Sequence, residues 1–234
     1  MLKIEHLTKR FGEKTAVDDL SLEINAGEIH AFIGRNGAGK TTTIKSCCGI
    51  LPFDSGEITI DGRSVVSDPV ACKKMIAYLP DNPDLYEYMK GGEYINFVAD
   101  IFGVDKTRRT KLMERYAEEL EIADSLGTAI GSYSHGMKQK VAIIAALIHE
   151  PKLFLMDEPF VGLDPKASFV LKGYLREMCD NGGAIFYSTH VLDVAEKICD
   201  RVSIIRNGKL VRSGSMDEVK GDESLEEVFL ELEG

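Results

Sequence analysis

The chain has 234 residues, 44% of them hydrophobic, enough to bury one substantial core near the upper size of a single domain. Its 38 Asp plus Glu outweigh 28 Lys plus Arg, and the formal charge of −10 excludes a general field that would gather a nucleic-acid backbone. The longest apolar run, Val141 to Ile148, is far short of the roughly 20 residues that cross a hydrocarbon core, and no basic stretch with an apolar segment and cleavage site opens the sequence.

A cytosolic, soluble chain is therefore expected. Leu2, Ile4, then Val17, Leu20, Leu22 and Ile24 alternate, which predicts antiparallel strands with one wet face. Glu28 to Ile33 reads as a short strand, Gly34 to Lys40 as a loop, and Thr41 to Cys48 as a helix stopped by Gly49 and Pro52. Glu57 to Ile60 and Ile76 to Leu79 read as two more strands around a turn at Asp61-Gly62. From about Asp84 to Glu121 the spacing of Tyr94, Phe97, Val98 and Ile101, then Leu112, Tyr116 and Leu120, predicts helix. After a helix from about His135 to His149, the strands Leu153 to Met156, Ala184 to Ser188 and Val202 to Ile205 alternate with helical stretches, the pattern of an α/β parallel sheet.

Asn207-Gly208 predicts a hairpin joining Val202 to Ile205 with Lys209 to Val211. Ser215 with Glu218, and Ser224 with Glu227, have capping-box spacing for two short C-terminal helices. No repeat or linker divides the chain, so one domain is expected, with a helical subdomain at about 82–150 and a short helical extension at about 215–234. The five cysteines lack metal-ligand spacing and read as reduced, mostly buried thiols.

Gly34-Arg35-Asn36-Gly37-Ala38-Gly39-Lys40-Thr41 fits Gly, four residues, Gly-Lys-Ser/Thr between a predicted strand and a predicted helix. Glycines there aim successive N–H groups into a concavity, and the following helix adds its positive end, so an anion settles in the loop. The pattern predicts a nucleotide site from Gly34 to Thr42, with Lys40 on the β- and γ-phosphates and the Thr41 hydroxyl on magnesium. A glycine-rich turn that binds nothing is the alternative.

Leu153 to Met156 is a continuous apolar run, as in a central strand covered on both faces, and it ends in Asp157-Glu158-Pro159. Ligand groups belong at that end of a parallel sheet. Asp157 is placed to hold magnesium through water, and Glu158 to orient and deprotonate an attacking water. The competing reading is a pair of acids that begin a turn.

With these residues in view, Tyr133-Ser134-His135-Gly136-Met137-Lys138-Gln139 completes a third motif, and the chain resembles an ATP-binding cassette (ABC) nucleotide-binding domain from Leu2 to about Ser213. That resemblance implies a P-loop core with a mainly parallel sheet, an N-terminal antiparallel β-subdomain and a helical subdomain, binding ATP and Mg2+ and hydrolysing ATP. The family signature is usually Leu-Ser-Gly-Gly-Gln, so Ser134 and Gly136 match while Tyr133, His135 and Met137 depart from it. The resemblance implies that this segment acts on ATP held by a second copy, in a head-to-tail dimer with two shared sites. Ser134 is also read as an N-cap alone.

Phe11 matches the aromatic that stacks on adenine, Asp164 the dimer-facing loop, and His190 the switch histidine near the γ-phosphate. Each has a plain alternative: core for Phe11, a turn residue for Asp164, a helix start for His190. Asp81 stands where the family places a metal-side glutamine, a shorter and charged ligand without the amide donor. The resemblance further implies the motor subunit of a membrane transporter, borrowing its membrane part from a separate permease on the inner face of the cell membrane. Asp81 with the Tyr-Ser-His-Gly-Met-Lys signature is similar to cassettes of export-type permeases. A soluble cassette ATPase on the ribosome or DNA, and a different P-loop enzyme such as a kinase or GTPase, are the competing functions. No nucleic-acid partner is expected.

Overall fold

The computed structural model describes residues 1–233. In chain order the elements are β1 (Leu2–Phe11), β2 (Lys14–Ile24), β3 (Ile29–Ile33), α1 (Lys40–Cys47), β4 (Ser55–Ile60), β5 (Arg63–Ser64), α2 (Pro69–Met75) and β6 (Ile76–Leu79). There follow α3 (Gly91–Ile101), α4 (Lys106–Glu119), α5 (His135–Leu147), β7 (Leu153–Asp157), α6 (Pro165–Asp180), β8 (Ala184–Thr189) and α7 (Leu192–Ile198). The chain closes with β9 (Arg201–Arg206), β10 (Lys209–Ser215), α8 (Met216–Lys220) and α9 (Leu225–Glu233). It divides into two compact units: Met1–Tyr78, Lys152–Pro159 and the chain from Leu175 onward form one, and Leu79–Pro151 with Phe160–Tyr174 form the other.

The first unit carries both sheets. Leu2, Ile4 and Leu7 of β1 face Ile24, Leu22 and Leu20 of β2 across an antiparallel ladder, with their side chains buried and the intervening residues more exposed. This is the predicted alternation, and it forms a sheet of order β2-β1-β4-β5. The second sheet has order β10-β9-β3-β8-β7-β6, with β3 parallel to β8 and β9, and β7 parallel to β8. Every residue of β3, β7 and β8 is buried, which is why these strands are mostly apolar rather than alternating. Asn207 and Gly208 both take positive φ, 51° and 81°, as the tight turn between β9 and β10 requires. The mixed α/β architecture, with one antiparallel and one parallel-rich sheet, is the expected P-loop fold.

Two local expectations are corrected. The Asp61-Gly62 turn leads into the two-residue β5, and the chain then forms α2 before reaching β6. Pro69 at the first turn sets up that helix, but seven residues are too few to display a helical repeat. The stretch before Gly91 is not helical either: α3 starts there, with the Glu93 carboxylate accepting from Lys90 N–H at 3.2 Å.

In the second unit α3 and α4 pack on α5, whose residues Gln139 to Leu147 are all buried, as in a helix covered on every side. Residues 160–174 join this unit through side chains: Tyr174 donates to Glu119 at 2.6 Å, and Lys166 pairs with Glu121. All five cysteines are buried and free. Ser215 and Ser224 build the predicted capping boxes with Glu218 and Glu227, which accept from the serine N–H groups at 2.8 Å each. Among the described residues no helix is long and apolar enough to cross a membrane.

Candidate functional site

Strand β3 delivers the chain into the glycine loop at the carboxyl end of the parallel sheet. A Cβ on Gly34 would lie 2.5 Å from the Ile205 carbonyl oxygen, and one on Gly39, at φ +115°, would lie 2.5 Å from that of Ala16. Backbone approaches this close admit only glycine. Helix α1 begins at Lys40 with Gly39 as its cap and no side chain satisfying its first N–H groups, so the helix end is left facing outward as an anion seat. Lys40 Nζ donates to Gly34 O at 2.6 Å and Arg35 O at 3.3 Å, wrapping the loop around its ammonium. Burial lowers the pKa of Lys40, while Glu158 and Asp157 act to raise it. Arg35, Asn36 and Gly37 are exposed, Ala38 is buried, and the four line a cavity of about 460 Å3 with Arg206 and Asn207.

The sheet register brings the carboxylates to the same loop. Asp157 pairs with Ser188, and Ser188 with Phe32, so β7, β8 and β3 end in one row. Thr41 donates its hydroxyl to Asp157 Oδ2 at 2.6 Å, and Ser188 donates to Oδ1. Asp157 is buried with both oxygens engaged. Ser188 is the residue that sequence reasoning missed: two hydroxyl residues ending the apolar run of β8 were its only signal. Thr42 O accepts from Ser46 Oγ at 3.0 Å within α1. The hydroxyl, the carboxylate and the nearby ammonium match the chemistry of a phosphate chelating a hard divalent cation, for which oxygen ligands are the suitable donors.

Glu158 takes φ +49° immediately before Pro159, a left-handed conformation that costs an ordinary residue roughly 1–3 kcal/mol. The turn is held by Glu158 N–H donating to Ser188 O at 3.1 Å. His190 Nδ1 lies 2.8 Å from Glu158 Oε1, and His190 N–H donates to Oε2 at 3.3 Å. A carboxylate only accepts, so Nδ1 carries the hydrogen and Nε2 is left for another partner. Phe11 ends β1 with its ring 51% exposed and Lys9 Nζ 5.2 Å from its centroid, so it is not a core residue.

The remaining candidates belong to the second unit. Ser134 caps α5, accepting from Met137 N–H at 3.3 Å, and both Ser134 and His135 are exposed. Tyr133, a departure from the family signature, is buried, and its hydroxyl donates to Ser125 O and Thr128 O. A Cβ on Gly162 would fall 2.5 Å from the His135 ring, and one on Gly136 would fall 2.9 Å from Gly162 O. Asp164 Oδ1 accepts from Ala167 N–H at 2.8 Å, capping α6, and its Oδ2 meets Lys140 Nζ at 2.7 Å. Asp81 is exposed.

Residues 17–161 match the ABC transporter family. The chain belongs to that family. It is similar to the ABC transporter ATP-binding protein YxlF of Bacillus subtilis (strain 168), 36% identical over 94% of this chain and 72% of that protein. The linearmycin resistance ATP-binding protein LnrL of the same organism is 32% identical over 94% of this chain and 70% of its own length. A solved structure described as the ATP-binding subunit of an ABC transporter superposes with a TM-score of 0.96 at 33% identity, covering all of both chains. The chain is thus an ABC transporter ATP-binding subunit and an ATPase.

Proposed function

We propose that this ABC subunit hydrolyses ATP with Mg2+ at the Lys40–Thr41–Asp157–Glu158–His190 cluster and drives a separate membrane permease, in the direction of export. The observation that carries the hydrolytic assignment is the clasp of Glu158 by His190 beside the Thr41–Asp157 pair. Lys40 and the loop from Gly34 to Thr42 bind the phosphates, and the exposed ring of Phe11 takes the adenine face. Thr41 and Asp157 would hold the cation through their oxygens. When bound, magnesium neutralises and orients the β- and γ-phosphates. Glu158 orients water and accepts its proton, and His190, through Nε2, contacts the γ-phosphate side.

Ser134, His135, Gly136 and Met137 present an exposed helix N-terminus to the ATP of a second copy, with Asp164 in the facing loop, giving a two-fold dimer that ATP closes and hydrolysis opens. The two compact units act as one ATPase domain. The chain sits peripherally on the inner face of the cell membrane through its permease. Export is favoured by the signature around Ser134 together with Asp81, and by a relative named for resistance to linearmycin.

The test is Glu158→Gln. ATP binding is retained, turnover falls roughly 10²- to 10⁴-fold as for loss of a positioned general base, and the variant accumulates as an ATP-dependent dimer that brings a multi-span protein out of detergent-solubilised membranes. Wild-type turnover would remove Glu158 from this role.

A further inference from the structure

Four residues C-terminal to Gly136, and so on the same face of α5, Lys140 carries its ammonium into the second unit with only 11% of the side chain exposed. Lysine is rarely buried without a partner. Its partner is Asp164 Oδ2, at 2.7 Å. On that face Gly136 also meets the carbonyl of Gly162, and the His135 ring covers the same glycine. Three successive points of α5, at its first residue, its second and one turn later, therefore touch one loop, residues 160–164. Lys138 instead reaches Glu87 at 2.6 Å.

Neither helix needs this ion pair in order to begin. Helix α5 is capped by Ser134, and α6 is capped by Asp164 Oδ1, the carboxylate oxygen that Lys140 does not take. Apolar residues in place of both partners would fill the site without the desolvation of two charges, and such paired replacements are often neutral or stabilising. What the pair adds is direction, since it ties a loop that leaves β7 to the helix that starts at Ser134. The Lys140 hydrogen bond, followed by the Ala167 N–H, holds the Asp164 carboxyl below its ordinary pKa, so Asp164 stays ionised at neutral pH.

We infer that Lys140 is a positioning residue, locking the Ser134–Met137 segment and the 160–164 loop into one rigid surface for the ATP-bearing face of a second copy. This rests on the shared-site reading given above, in which Ser134 acts across the dimer. The lock acts on closure and leaves nucleotide binding by the chain's own glycine loop untouched.

The experiment compares Lys140→Met, Lys140→Arg, Asp164→Asn and Ser134→Ala. Melting temperature, ATP affinity at concentrations where the chain is monomeric, kcat, and ATP-driven dimerisation in a Glu158→Gln background are measured for each. Lys140→Met is expected to lower kcat and dimerisation roughly 10- to 100-fold, the scale of a small misplacement, with monomer ATP affinity unchanged and a lower melting temperature because Asp164 loses its partner. Asp164→Asn reproduces this, the double variant is no worse than either single one, and Lys140→Arg restores closure. If Ser134→Ala loses closure while Lys140→Met keeps it, the positioning role is overturned and the shared site stands. If both retain wild-type closure, the shared-site reading falls and takes this inference with it. If Lys140→Met does not fold, Asp164→Asn decides, and wild-type closure in that variant overturns the proposal.

Discussion

The glycine loop before α1 and the signature segment before α5 are both helix N-termini, yet they are held in opposite ways. The first is shaped by backbone: Gly39 caps α1 with no side chain, and Gly34 and Gly39 sit against carbonyls that leave no room for one more carbon. The second is shaped by side chains: Ser134 caps, Tyr133 is anchored by its hydroxyl, and Lys138 and Lys140 reach acids on other segments. A backbone-built site tolerates almost no substitution, so its motif is intact here. A site built from side chains keeps its form through other pairings, and there Tyr133, His135 and Met137 replace the usual residues.

Lys40→Ala tests the backbone-built half most severely. It removes the cation that the loop encloses, and ATP affinity falls by about 10²-fold or more, the scale of two charge-assisted hydrogen bonds; titration calorimetry reads it, and wild-type affinity would break the comparison. Next come the glycines. Gly39→Ala adds a carbon at φ +115° and 2.5 Å from the Ala16 carbonyl, a loss of roughly 3–5 kcal/mol from strain and overpacking together. Gly37→Ala, at φ +82° with nothing within 4 Å, loses only about 1–2 kcal/mol. Denaturant midpoints that fail to separate the two would mean that the close approach is not what shapes the loop.

For the half built from side chains, Tyr133→Phe removes the hydroxyl's bonds to the Ser125 and Thr128 carbonyls, which keep Thr128 N–H and Gly91 N–H as donors, and destabilises the chain by about 0.5–1.5 kcal/mol. Its effect on ATP affinity of the monomeric chain is nil, because the glycine loop keeps its own backbone contacts.

The smallest effect is expected at His30, on the strand that leads to the loop. Its Nε2 is 2.8 Å from Ser203 Oγ and its Nδ1 is 3.6 Å from Glu28. Burial, with a lesser push from Arg201, lowers its pKa below 6.5 despite the opposing pull of Glu28. Above pH 6.5 the imidazole is neutral folded or unfolded. As pH falls through that value the unfolded chain gains a proton that the folded chain refuses, so stability drops. His30→Gln should flatten the loss of melting temperature between pH 7.5 and 5.5, and an unchanged slope would exclude this group.

The glycine loop, the strand ending in Asp157-Glu158 and the hairpin at Asn207-Gly208 were all legible, because each is a local pattern whose physics acts within a few residues. The motif order likewise led to the ABC resemblance that the family match bears out. Helix α2 was not legible, being too short for a period, and neither was the start of α3, because the helical spacing of Tyr94, Phe97, Val98 and Ile101 does not fix where the helix begins. Phe11 read equally well as core, and only its exposure decides against that.

What the sequence determined by itself is most of the longer elements and the residue types at their ends, through hydrophobic period, glycine placement and capping residues. What only the tertiary structure decided is partnership: Ser188 with Asp157, His190 with Glu158, Thr41 with Asp157, residues 31, 32 and 116 positions apart. The physical reason is that such pairs are selected by sheet register. The order β3-β8-β7 places three strand ends side by side, and strand order is settled by the packing of the whole sheet rather than by any segment's own propensity.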